Sequence, residues 1–156
     1  MKVLFLCTGN SARSILGEYL LRKSDSRFET FSAGSHPKGQ VHPLALRVLR
    51  EIYQIDASDA RSKSWEELRD VDFDFVITVC DNARESCPVF PGYPVTAHWG
   101  LPDPAAVEGT PDEQYAAFKE AARVLHRRIE LFRDLPLDKL DHLRRQDETR
   151  GIGTRS

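Results

Sequence analysis

The sequence is poor in cysteine, with three in 156 residues. An odd count with no Cys-x2-Cys pair excludes a disulfide framework. Without closely spaced histidines it also argues against zinc. No apolar run approaches the roughly 20 residues that span a bilayer, and Met1-Lys2 leads into apolar residues without a signal-peptide pattern. The expectation is a cytoplasmic protein whose cysteines are thiols, with no membrane partner. An excess of one charge is also missing: 22 Lys and Arg against 24 Asp and Glu leave −2, which argues against nucleic acid or an anionic surface as main partner. No repeat, low-complexity tract or linker divides the chain. What remains is an ordinary globular composition, 40% apolar and 29% charged, at a length that suits one core.

The most informative stretch is Cys7-Thr8-Gly9-Asn10-Ser11-Ala12-Arg13-Ser14. It follows the apolar run Val3–Leu6 and opens into a helical pattern. A buried strand feeding a tight loop at a helix N-terminus is an anion cradle, because successive N–H groups and the helix dipole converge on one point. Gly9 and Asn10 are residue types that tolerate the positive φ such a loop needs. Thr8, Gly9, Asn10, Ser11, Ala12 and Arg13 are therefore the candidate oxyanion-binding residues. Arg13 offers a planar fork to two oxygens, and Ser14 is placed to hydrogen-bond a thiolate. Electropositive surroundings favour the nucleophilic thiolate at Cys7. The chemistry is attack by sulfur on a phosphate-like centre. A cysteine ending a strand is more often simply a small buried residue; the strand–loop–helix context favours the functional reading.

Along the chain, a first helix runs to about Lys23; Glu18, near its start, either faces the loop or, as the more ordinary reading, is a solvated charge. Arg27–Ser32 reads as a strand and Ala33-Gly34-Ser35 as its end. A second helix starts at His42-Pro43, and Ser64–Leu68 is a short capped helix. Phe73–Val79 is a strong apolar strand that also ends at a cysteine, Cys80. Ligands of an open α/β sheet sit beyond the carboxyl ends of its strands, so Cys7 and Cys80 converge. Cys80 and Cys87 can pair if their segment bends, and cannot if a regular strand holds them apart. Val95–Trp99 is a fourth strand, and Asp103, between two prolines on the loop after it, is a candidate general acid; turn initiation by Asp-Pro is the equal alternative. The last main helix covers Asp112 to about Phe132. A short helix after Pro136 and a frayed end from Asp147 complete the chain. The fold class is α/β, one domain with four parallel strands and helices on both faces, divided into a main body 1–133 and a C-terminal extension 134–156.

These anchors carry a family resemblance. Cys7–Ser14 with Ile15-Leu16-Gly17-Glu18, then Phe31–Ser35, Val79-Cys80-Asp81, Ser86-Cys87-Pro88 and His98–Ala105 resemble an arsenate reductase of the low-molecular-weight tyrosine-phosphatase fold. The loop is specific for the superfamily; Cys80 and Cys87 point to arsenate reduction within it. The resemblance implies that Cys7 attacks arsenate, that Arg13 and the loop amides hold the oxyanion, and that Asp103 protonates the leaving oxygen. It further implies a Cys7–Cys80 and then a Cys80–Cys87 disulfide, with thioredoxin, or glutaredoxin and glutathione, as electron donor. No organic cofactor and no oligomer are required.

Departures are also visible. Ala12 stands where many relatives carry a second loop cysteine. Some relatives bind potassium, for which Asn10, Glu18 and Ser32 are the matching residues; Lys63 nearby has the charge to replace it. The rival functions are a tyrosine phosphatase, disfavoured by Ala105 and Ala106 where an aromatic wall is usual, and a non-catalytic oxyanion sensor.

Overall fold

A computed structural model describes residues 1–81 and 90–155. Strands β1 (Lys2–Cys7), β2 (Glu29–Gly34), β3 (Phe75–Thr78) and β4 (Val95–His98) form one sheet in the order β2-β1-β3-β4, all parallel. The helices are α1 (Arg13–Ser24), α2 (Pro43–Tyr53), α3 (Pro111–Arg133) and α4 (His142–Arg155). Among the described residues no helix is long and apolar enough to cross a membrane. The central strand β1 is buried from Val3 to Cys7, as a near-continuous apolar run in a parallel sheet must be.

Register assigns the faces. Val3 pairs with Phe75 and Phe5 with Ile77, and these side chains meet α1 and α3. Phe132 of α3 packs against Phe28, Phe75 and Trp99, with ring centroids 5.2, 4.9 and 5.7 Å apart. On the opposite face Phe31, Phe73, Phe90 and Trp65 form an edge-to-face series at 5.2 to 6.0 Å. Trp65 belongs to a single 3-10 turn, Trp65–Leu68, capped by Ser64, where the sequence reading places a short helix. The second strand starts two residues later than the sequence suggests, because Asp25 accepts from the backbone and side chain of Arg27 and keeps that residue in the turn.

The C-terminal end corrects the sequence reading. Residues 142–155 are helix, not a frayed tail. Thr149 and Ile152 are fully buried, Trp99 Nε1 donates to Thr149 O at 3.0 Å, and Arg150 donates to Thr96 O and Oγ1 at 2.9 and 3.2 Å. α4 thus lies along the edge strand β4. A Cβ on Gly153 would collide with His98 O, so this glycine permits the helix's close approach.

His42 caps α2: its Nδ1 accepts from Leu44 N at 3.1 Å, and its ring packs on Phe118 at 4.5 Å. Burial, reinforced by Lys38 and opposed by Asp103, holds its pKa below the ordinary 6.5. Protonation would also turn the accepting nitrogen into a donor. The native state therefore binds fewer protons here than the unfolded chain, and the stability gained above pH ~6.5 is lost as pH falls through and below that value. We expect the urea midpoint to fall between pH 7.5 and 5.5, and His42→Asn, which keeps a capping oxygen worth about 1 kcal/mol, to flatten that fall. An unchanged slope in the variant would assign the acid sensitivity elsewhere.

Candidate active site

The loop after β1 is held from outside by its carbonyls. Those of Cys7, Thr8, Gly9 and Ser11 accept backbone N–H groups of Ser35, His36, Lys38 and His42 at 3.2, 2.9, 2.9 and 2.9 Å. With these oxygens engaged, Asn10 takes a left-handed φ of 44° and its N–H donates to Cys7 Sγ at 3.2 Å. α1 then begins without a side-chain cap and with no acidic residue in its first turn. Its free N–H groups and dipole are left to an anion.

Cys7 is buried and its thiol is free. Its sulfur lies 2.9 Å from Ser14 Oγ, and Ser14 Oγ also accepts from Asn10 Nδ2 at 2.8 Å. With that amide donating, the Ser14 hydroxyl hydrogen is available to the sulfur, and a thiolate at Cys7 receives two donors. Asn10 Oδ1 accepts in turn from Lys63 N at 2.8 Å, so a fully buried asparagine side chain locks the loop to the chain before β3.

Cys80, also buried and free, is brought to the same loop. Thr8 N and Oγ1 lie 3.2 and 3.3 Å from its sulfur. Arg13 donates to Leu101 O at 2.9 Å, and its second terminal nitrogen stands 3.8 Å from Asp103. Asp103 caps the 3-10 turn Pro104–Ala106, accepting from Ala105 N at 3.0 Å. This leaves its other oxygen toward Arg13. The turn-forming and pocket-lining readings of Asp103 are thus both satisfied, since Arg13 and Asp103 line one cleft. Cys7, Thr8, Gly9, Asn10, Ser11, Ala12, Arg13, Ser14, Cys80 and Asp103 all gather at the carboxyl end of the sheet. Cys87 lies outside the described residues. Trp99, the aromatic nearest to Asp103 in sequence, is fully buried in the core and is no wall to this cleft.

Glu18 is not the solvated charge that its place on a polar-looking helix suggests. It is buried, accepting from Ser32 Oγ and from Arg22, both at 2.6 Å. Burial raises its carboxyl pKa above 4.5, against the pull of Ser32, Lys63 and Arg22. Burial likewise lowers Lys63, which the Glu18 charge opposes, and Lys63 Nζ donates to Arg61 O at 2.8 Å. The potassium set therefore does not fit a cation. The Glu18 carboxylate already holds a guanidinium and a hydroxyl, Ser32 donates toward it, and the Asn10 oxygen accepts an amide. Two fixed cations, Arg22 and Lys63, supply the charge. We expect the thermal midpoint to be the same in potassium chloride and choline chloride at equal ionic strength. A rise with potassium alone, of the 2–4 °C that about 1 kcal/mol of binding gives a chain of this size, would contradict the fixed-cation arrangement.

Two contacts lie beyond the sequence reading: the one from Thr8 to the Cys80 sulfur, where strand topology brings only the two cysteines together, and the one between Glu18 and Arg22, whose signal is only the i,i+4 spacing.

The assembly of strand, cysteine-led loop and uncapped helix is a phosphatase-type anion site. The profile of the family described as low molecular weight phosphotyrosine protein phosphatase matches residues 2–140, and the chain belongs to that family. An arsenate reductase from Halalkalibacterium halodurans is 36% identical over 131 residues, covering 83% of this chain and 93% of the relative. Among solved structures, a low molecular weight protein tyrosine phosphatase from T. tengcongensis is similar with a TM-score of 0.69 at 26% identity, over 86% of this chain and 99% of its own. A thioredoxin-dependent arsenate reductase from Corynebacterium glutamicum is 32% identical with a TM-score of 0.55, over 83% of this chain and 62% of its own.

Proposed function

We propose that the protein reduces arsenate to arsenite through a thiol relay of Cys7, Cys80 and Cys87. The observation that carries this reading is that Thr8, inside the anion loop, donates to the sulfur of Cys80. A phosphatase needs no second thiol there, whereas a reductase needs one that can reach Cys7. Both thiols of the first exchange thus lie against one loop, and the relatedness to arsenate reductases favours the same reading.

The Cys7 thiolate attacks arsenic, forming an S–As bond as one hydroxyl leaves as water with the Asp103 proton. The loop N–H groups and the Arg13 fork hold the remaining oxygens, where fixed donors act without reorganisation. Cys80 then attacks Cys7 Sγ. A sulfur–sulfur bond forms, the S–As bond breaks, and its electron pair stays on arsenic, which leaves as arsenite. Cys87 attacks Cys80 Sγ and expels the Cys7 thiolate, moving the disulfide off the loop. Two electrons from an external dithiol, thioredoxin or glutaredoxin with glutathione, restore the three thiols. This is arsenic detoxification in a reducing cytoplasm, by a monomer.

The test is free-thiol counting on reduced protein given arsenate without reductant, with arsenite assayed alongside. We expect two thiols lost per arsenite and a Cys80–Cys87 disulfide on peptide mapping. Cys87→Ser is expected to release one arsenite per chain and stop at a Cys7–Cys80 disulfide. Three free thiols and no arsenite in the parent would overturn the reductase in favour of the phosphatase.

A further inference from the structure

Cys80 faces two demands in the relay proposed above: it must lie against the loop to attack Cys7, and it must later leave. Its hydrogen bonds to Thr8 hold the sulfur itself, and a second set of contacts holds the side chain of the adjoining residue. Thr78 and His98 are register partners on β3 and β4, so their side chains share one face of the sheet. Thr78 Oγ1 is 2.7 Å from His98 Nδ1, and His98 Nε2 is 3.0 Å from an oxygen of Asp81, the residue after Cys80. The ring is only about one-fifth exposed, while the Asp81 side chain is 89% exposed. Asp81, His98 and Thr78 line the cleft that also contains Arg13 and Asp103.

We infer that His98 is a positioning residue which, through Asp81, pins the end of β3 so that Cys80 stays against Thr8 until the disulfide has formed. The inference rests on the thiol-relay reading. A neutral imidazole makes both contacts when Thr78 donates to Nδ1 and Nε2–H donates to Asp81; an imidazolium donates at both nitrogens. The clamp therefore holds in either protonation state. Gly100 corroborates it: a Cβ there would lie 2.5 Å from His98 Nε2 and 3.1 Å from Cε1. Any larger residue would push the ring off Asp81. The sequence alone gives His98 no role beyond its place at a strand end.

The experiment measures the first exchange directly. In a Cys87→Ser background, reduced protein is mixed with arsenate and the rate of Cys7–Cys80 disulfide formation is followed by quenched alkylation. Affinity for inorganic phosphate reports the anion loop separately. Losing a hydrogen bond to a charged group is expected to slow disulfide formation about tenfold in both His98→Ala and Asp81→Ala, with phosphate affinity within twofold of the parent. The double variant is expected to be no slower than either single one, because both break one contact, and His98→Gln to recover part of the rate. Asp81 is at the surface, so its variant tests the clamp even if His98→Ala folds poorly. Parent-like rates in Asp81→Ala, or additive losses, would overturn the clamp alone. Failure of the Cys87→Ser parent to form the disulfide would overturn the relay and the clamp with it.

Discussion

Arg13→Lys is expected to lower kcat/KM for arsenate by about 10²–10³, the loss typical of one oxyanion donor. The reason is the number of tasks the fork performs. One terminal nitrogen donates to Leu101 O at 2.9 Å and the other faces Asp103 at 3.8 Å, so the guanidinium is oriented by protein before the anion arrives. A lysine ammonium is a point charge on a flexible stem. It can take the Leu101 carbonyl or the oxyanion, but it cannot hold both in one plane. The loss should appear mainly in kcat, with a smaller rise in KM, because charge remains at the site while its geometry is lost. Steady-state kinetics with a coupled thiol reductant measures the split. A variant with near-parent kcat would show that Arg13 serves as bulk charge only.

Gly34→Ala is expected to damage both stability and the site, although the residue touches no substrate. A Cβ at Gly34 would lie 2.5 Å from Thr8 O and 3.1 Å from both the backbone nitrogen and Cβ of Asn10. The nearest of these is backbone, so the loop itself must move. Gly34 is also tied to Cys7 by strand register and to Lys63 O through its N–H at 2.9 Å. Overpacking of this kind costs about 1–3 kcal/mol, which for a chain of this length lowers the thermal midpoint by roughly 3–10 °C. Displacing Thr8 and Asn10 should also weaken phosphate binding at least tenfold, because moving the loop misaligns the N–H groups at the start of α1 with the anion. Thermal melts followed by circular dichroism, with phosphate titration, test both effects. A parent-like midpoint would mean the loop has room that the geometry denies it.

The parts of this molecule legible in the sequence are those specified locally. Val3–Leu6 followed by Gly9 and Asn10 announces a buried strand and an anion loop because apolar run, turn residues and helix pattern are contiguous. Cys80 is placed near Cys7 by a topological rule, since both end apolar strands of a parallel sheet. Asp103 is visible because two prolines leave it little freedom. What escaped depends on long-range partners. Glu18 looks solvated until Ser32, 14 residues away, and Arg22 are seen around it. The glycines and charges at the C-terminus look unstructured until Trp99 and Thr96 supply contacts about 50 residues distant. Nothing near His98 in sequence announces Asp81, because their meeting is created by strand register.

The C-terminal helix gives the protein an end in the direction of its sheet. A four-stranded parallel sheet has two outer strands, each with unpaired peptide groups able to recruit another chain. On the β4 side Arg150 occupies the Thr96 carbonyl and Gly153 brings helix backbone against His98. The family match stops at residue 140, before this helix begins. A polypeptide shortened to that point would keep every residue of the anion loop yet present β4 as a template for strand addition. The 14 residues of α4 therefore shield the β4 edge from pairing with another chain.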